Sequence, residues 1–503
     1  MKVKGHFRNW LLIAVALLVM FGLAACLGIG DLADGGIGGS GKSYGPIIAF
    51  GSIFVNGVEF ETGAADIIID GSPSLDTNLK LGMVVMVTGE FNVNGTTGTA
   101  VTVSYDDLVE GPMTSAVNTT EKRFGVMYQD VFYTTSTIFE NDEDLQLGAL
   151  TPSDLSVDNV LEISGLFDSA GRIRATRVER EALTYIPGPD EVLEVHGLVA
   201  NLDTTLQTFD IGLLAISYSA VATSFDEGTI DDLANGVLVE VKGDDDPADG
   251  LEADRIEFEF EDFGNEGDLL EFEGYVTDIN PAVGDFEVDG LPVVTDGQTL
   301  WTGGYTGLSD VTMDDRVEVE GTLQDQGGTQ VLVAREVELE IEDSVSIEAP
   351  LQAIDTTANM LSILGFGVAY SDTTSITDFE DNEDINPNTA VDELEAGDWL
   401  QIDAVLDDNG DLFATSVQQD NDNADLSNIV LKGPAANITI LPSFSFFIQG
   451  VEIVPVSGVE YKVEDIPISE TIFYNNLAEG TIVKAKGSFL SGVLTATQLS
   501  LED

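Results

Sequence analysis

One spacing recurs along this chain and restricts how it can fold. An apolar residue is followed three positions later by Gly or Asp, then without insertion by an alternating Φ-x-Φ-x-G, where Φ is apolar. The copies are Leu79/Gly82/Val85/Val87/Gly89, Leu155/Asp158/Leu161/Ile163/Gly165, Leu233/Gly236/Val239/Val241/Gly243, Val311/Asp314/Val317/Val319/Gly321, Leu394/Gly397/Leu400/Ile402/Ala404 and Leu477/Gly480/Val483/Ala485/Gly487. Six copies at a period of about 75–85 residues mark a repeat architecture. Other landmarks keep step. Each repeat opens on an extended stretch, usually with a Gly, as in Gly45-Pro46-Ile47 and Gly111-Pro112-Met113. Four repeats then carry Thr-x-aromatic (Thr137/Phe139, Thr223/Phe225, Thr299/Trp301, Thr377/Phe379), whereas the first shows Ile67-Ile68-Ile69-Asp70. Each ends on Ala-x-x-Φ: Ala100/Val103, Ala175/Val178, Ala253/Ile256, Ala334/Val337, Ala414/Val417 and Ala496/Leu499.

The apolar runs are short, β-branched and alternating, the period-two signature of strands with one buried face. The loop before Ala-x-x-Φ varies in length and carries Asn-Gly, Asp-Asn-Gly-Asp or Asp-Pro-Ala-Asp-Gly, which is hairpin-turn chemistry. Stretches such as 231–235 and 391–395 suit a single helical turn. About five strands per repeat leave open edges, which closure into a small barrel removes. The expected fold is therefore all-β, a tandem array of six small OB-like β-barrels, with a β-propeller-like ring as the alternative. The repeats are expected at residues 43–108, 109–186, 187–262, 263–343, 344–420 and 421–503. Alternation places Glu318 and Glu320 of the fourth copy on a solvated outer face.

Lys2, Lys4 and Arg8 precede an apolar run from Trp10 to Phe21, about a dozen residues and too short to span a bilayer comfortably. Leu23-Ala24-Ala25-Cys26 follows and resembles the bacterial lipobox, whose Cys thiol receives diacylglycerol and becomes the mature N-terminus. Cys26 is the single cysteine of the chain. Residues 1–25 read as a lipoprotein signal peptide and 26–42 as the lipidated Cys with a Gly-rich tether. Leu27 rather than Asp implies, by the same resemblance, sorting to the outer membrane. Acyl chains anchor at about 0.8 kcal/mol per buried methylene. Asp+Glu number 90 against Lys+Arg 19, a formal net charge of −71. Hydrophobic content of 43% separates this from a disordered acidic tail, so the acids are expected on surfaces and loops. Such a surface excludes nucleic acid, which needs clustered Lys/Arg.

GGIGGSG in the tether, GPIIAFGSIFVNGVEF at 45–60 and LKLGMVVMVTG at 79–89 together resemble a family of exported bacterial lipoproteins. That family is built from tandem OB-like β-barrel repeats classed as a domain of unknown function. The resemblance is strongest over residues 26–110 and covers the rest through the landmarks. It implies a fold and an envelope location and brings no catalytic residues.

Catalytic residue types are scarce. After residue 25 the one histidine is His196. Its place before the strand Gly is held elsewhere by Glu110, Glu273, Glu348 and Lys432, so it reads as a variable, solvent-facing site rather than a base or ligand. Neither Ser-His-Asp and Cys-His machinery nor the usual zinc sites find support. Acid-rich turns offer oxygens to calcium, which takes six to eight. They are Asp142 and Asp144; Asp244, Asp246 and Asp249; and Asp407, Asn409 and Asp411. None has EF-hand spacing, and solvated loop tips are their simplest reading. The Thr-x-aromatic residues read as core packing. The expectation is a non-enzymatic, lipid-anchored outer-membrane protein with a structural, adhesive or binding role. Its partners would be the membrane, through the lipid, and an envelope polysaccharide or protein, with no nucleic acid. No cofactor is expected, with calcium at these turns as the one alternative. A carboxylate-only, carbohydrate-active hydrolase and a calcium-stabilised surface rod are the alternatives.

Overall fold

The computed structural model describes residues 39–502 except 93–94, 143–144, 188–192, 247–249, 259–262, 304, 341–343, 372–373, 379–393, 407–411, 420–424, 440–443 and 464–465. Cys26, the signal segment and most of the tether lie outside the described residues.

The second repeat shows the unit. A leading strand, Val109–Asn118, is followed by the hairpin Arg123–Val126 and Gln129–Asn141 and by the 3-10 turn Pro152–Asp154. The motif strand Val160–Phe167 and the closing strand Ile173–Ala182 complete it. The motif strand lies antiparallel between the leading and closing strands, and the closing strand runs parallel to the second hairpin arm. The recurrent spacing has local causes. Leu161 and Ile163 are fully buried. The Gly-or-Asp position has positive φ in every copy: Gly82 +80°, Asp158 +76°, Gly236 +86°, Asp314 +65°, Gly397 +109° and Gly480 +92°. Glycine visits this region freely, and Asp does so at lower cost than other side chains. The terminal Gly sits at a register shift, a β-bulge, with the closing strand against it. A Cβ on Gly165 would stand 2.3 Å from the Arg174 carbonyl oxygen, and Gly89, Gly243, Gly321 and Gly487 are equally confined.

Two landmarks meet in space. Thr137 donates its hydroxyl to the Ala175 carbonyl at 2.7 Å, Thr223 to Ala253 at 2.7 Å and Thr299 to Ala334 at 3.0 Å. In the fifth repeat Thr374 donates to the Ala414 carbonyl at 2.8 Å. Phe139, Phe225 and Trp301 are partly buried against their cores, and Phe379 lies outside the described residues. The stretch at 231–235 opens on a 3-10 turn, Ile230–Asp232, and 391–393 are outside the described residues.

The repeats are neither six closed small barrels nor the blades of a ring. The chain is a β-solenoid of stacked coils. Among the described residues its strands run in three continuous sheets of 14, 12 and 14 strands, each joining two of the expected repeat segments. Leading strands make the joins. Gly39–Pro46 lies parallel to Leu269–Ile279, joining the first and fourth repeats. Val109–Asn118 lies antiparallel to Leu193–Leu198, and Ser344–Pro350 to Ile429–Pro434. The cores follow the joins: one apolar cluster runs through repeats two and three, another through five and six. Edges are thus hidden by the neighbouring coil instead of by closure, an outcome that alternation along one strand does not distinguish. Parallel pairing between hairpin arm and closing strand also excludes up-and-down propeller blades.

Further contacts cross the coils. Val84, Leu166 and Tyr275 form a small buried cluster from repeats one, two and four. The helix Glu470–Asn476 docks on the first repeat. There Asn476, 1% exposed, accepts from the Phe50 N–H at 2.7 Å and donates to the Phe50 carbonyl at 2.8 Å.

Candidate functional site: a buried acidic seam

The polar positions of the leading and motif strands line a seam. Across the 12-stranded sheet the residues in register are Glu179, Glu162, Glu110, Glu194, Lys242 and Arg255. The adjacent row is His196, Glu240 and Glu257. Like charges directly opposite one another are destabilising, and burial multiplies the cost unless partners are supplied.

The first repeat caps this face. Tyr105, 1% exposed, donates its hydroxyl to Glu162 Oε1 at 2.7 Å. Asp70 and Gly71, with φ of +47° and +68°, form the two-residue turn between strands Asp66–Ile69 and Ser72–Ser74. This is the Asp-Gly chemistry of a type I′ hairpin. The Asp70 N–H donates to the Tyr105 carbonyl at 3.0 Å. Leu108, in the link to the second repeat, donates to the Ile163 carbonyl and accepts from the His196 N–H, both at 2.9 Å.

Charge compensation is partial. Lys242 Nζ lies 2.6 Å from Glu194 Oε2 and 2.6 Å from Glu240 Oε1. Arg177, 1% exposed, binds Glu179 at 2.5 Å, Glu140 at 2.8 Å and the Leu81 carbonyl at 3.2 Å. Burial pushes the carboxyls of Glu110 and Glu162 up to about 7. The Tyr105 hydrogen bond opposes this at Glu162. Burial, then Glu162 and Glu179, takes Glu181 to about 8. Asp107 is raised well above the usual carboxylate range by burial and then by Glu194 and Glu162. Glu194 goes the other way: burial raises it, but hydrogen bonds with His196, Glu240 and Lys242 outweigh burial. Glu240 is raised by burial and then by its hydrogen bond to Glu194 and the charge there.

Among the described residues three groupings bring acidic or histidine ligand atoms within 4.8 Å of one another. In Glu194/His196/Glu240 the space is contested by Lys242. The second is Asp70/Asp107/Glu194, and the third is Asp142/Glu179/Glu181. In the second, Asp70 Oδ1 and Asp107 Oδ2 are buried with no hydrogen-bond partner.

The structure corrects several expectations. His196 is 7% exposed rather than solvent-facing, and Glu273 at the equivalent position is 2% exposed. The cause is the join: the residue before the strand Gly lies where leading strands meet other repeats. Glu320, expected outside, is 7% exposed and paired with Arg335. Of the candidate calcium residues, Asp142 enters the third grouping, Asp244 is exposed, and Asp246 ends the strand Leu238–Asp246. Asp144, Asp249, Asp407, Asn409 and Asp411 lie outside the described residues. Residue type alone does not single out Asp70 and Asp107. Their available signals were the departure of the first repeat at 67–70 and the paired acids Asp106-Asp107 at a repeat junction.

Fold and seam define a class: an all-β protein of tandem repeats whose polar strand faces are buried against neighbouring repeats. The chain belongs to the family described as Domain of unknown function (DUF5666). Its profile matches residues 44–103, 110–179, 196–257, 273–338 and 348–418, together more than half of the chain. The family repeat therefore occurs five times rather than the expected six. Residues 421–503 fall outside the matches, although Ile429–Pro434, Ile482–Leu490 and Val493–Glu502 pair in the same order. No curated protein matches the chain.

Proposed function

We propose that this is a lipid-anchored protein of the bacterial outer membrane. Its stacked repeats form a non-enzymatic scaffold that binds an envelope polysaccharide or protein. The observation that carries the scaffold reading is the fusion of repeats through main-chain ladders into three continuous sheets. Such joins favour one stiff body over beads on a string. Glu110, Glu162 and Glu181, whose hold on protons is raised, line a seam between repeats, which favours a structural use over hydrolysis. The anchoring half rests on Leu23-Ala24-Ala25-Cys26. Metabolic labelling with an alkyne fatty acid tests it: label and detergent-phase partitioning are expected for the natural chain and lost in Cys26→Ala. An unlabelled natural chain refutes anchoring. Recovery of the lipid-free chain on isolated envelope polysaccharide or protein tests binding, and turnover of that material by the chain refutes the non-enzymatic reading.

A further inference from the structure

We propose that a divalent, oxygen-seeking cation, calcium first, binds between Asp70, Asp107 and Glu194 and staples the first three repeats together. The three carboxylates come from three places in the chain. Asp70 stands at the hairpin tip of the first repeat, Asp107 in the link to the second, and Glu194 on the leading strand of the third. One oxygen from each lies within 4.8 Å of the others. Calcium–oxygen contacts of about 2.3–2.6 Å span such a separation with one ion.

The second observation is independent of acidity. Asp107 is 1% exposed and its Oδ2 meets no hydrogen-bond donor; Asp70 Oδ1 is buried in the same condition. Buried carboxylate oxygens are nearly always served, so two unserved ones in a cluster with a third acid point to a missing ligand. The nearby ammonium is already committed: Lys242 Nζ is held by Glu194 and Glu240. An all-carboxylate donor set selects a hard cation over thiolate- or imidazole-preferring metals. The site is separate from the acid-rich loops, and it does not depend on membrane anchoring.

The test uses the full-length chain, stripped with EDTA and melted at neutral pH with excess calcium chloride, magnesium chloride or neither. Calcium is expected to raise the melting temperature by at least about 2 °C. Terbium should bind at one site and luminesce by transfer from Tyr105. Asp107→Asn, which removes charge without volume, should keep the melting temperature of the stripped protein or raise it, while losing the calcium shift. Asp70→Asn should behave alike and provides the reading if the first variant fails to fold. Asp244→Asn, at an exposed position of the strand Leu238–Asp246 outside the cluster, should retain the shift. The proposal is overturned if the natural chain shows no calcium shift beyond that of magnesium, which would leave protons or water to fill the site. It is also overturned if the shift survives Asp107→Asn and Asp70→Asn or vanishes with Asp244→Asn.

Discussion

Arg177→Met is the sharpest perturbation of the seam. The guanidinium is 1% exposed and touches two carboxylates and one carbonyl, all of which lose their partner in the variant. Met fills most of the volume, so packing is largely retained and electrostatics dominates. Glu179, itself 7% exposed, would be left as a buried charge beside Glu162. Breaking a buried pair from one side costs about 3–5 kcal/mol. The Glu140 contact adds little, because that side chain is half exposed and Glu140→Gln should cost less than about 1 kcal/mol. The Leu81 carbonyl belongs to the first repeat, so the loss should fall on the contact between repeats one and two. Urea unfolding followed by far-ultraviolet circular dichroism measures the total. Arg177→Met with Glu179→Gln should recover much of the loss, since no uncompensated charge remains at 179. A single variant losing less than about 1 kcal/mol, or a double variant no better than the single, would refute the reasoning.

Gly82→Ala should destabilise by about 1–3 kcal/mol, because φ is +80° and the new Cβ would stand 2.8 Å from the Thr176 carbonyl oxygen. Gly236→Ala, with φ of +86° and open space, should lose only the backbone part of this, and paired thermal melts compare them. Asn476→Ala removes both partners of the Phe50 main chain and should cost about 1–3 kcal/mol, with faster amide exchange at Phe50 as its local signature. Glu338, opposite Glu318 in register, is pushed up to about 7 by burial and then by Glu340 and Glu336. A raised carboxyl stabilises fully below its ordinary value near 4.5 and loses that contribution as pH climbs through about 7. Glu338→Gln should therefore flatten the fall in melting temperature between those values, and an unchanged slope would count against it.

The strands and their order within a repeat were legible because alternation, the positive-φ Gly or Asp and the bulge Gly are each imposed locally. Thr137 and Ala175 show a further layer: both were visible as landmarks, but the hydrogen bond that links them was not. What covers a strand's outer side was not legible. Glu162, Glu240 and Glu320 alternate with buried Val, Leu or Ile as a solvated residue would, yet each is covered by a neighbouring element that period two does not encode. The seam failed to appear in the sequence for the same reason. Its acids come from three repeats, and Asp70 reaches them only because an Asp-Gly turn aims a hairpin across a repeat boundary.

The pairing of Gly39–Pro46 with Leu269–Ile279 also has a kinetic meaning. Repeats two and three, and repeat five with the C-terminal segment 421–503, can join as soon as each neighbour has been synthesised. The first repeat cannot: its partner strand emerges more than two hundred residues later. Until then an open strand edge waits beside the growing chain, where another nascent copy could take the partner's place. Completion of this fold is thus gated by its longest-range ladder, which should set the slowest folding phase. A chain interrupted before residue 269 should be the form that aggregates.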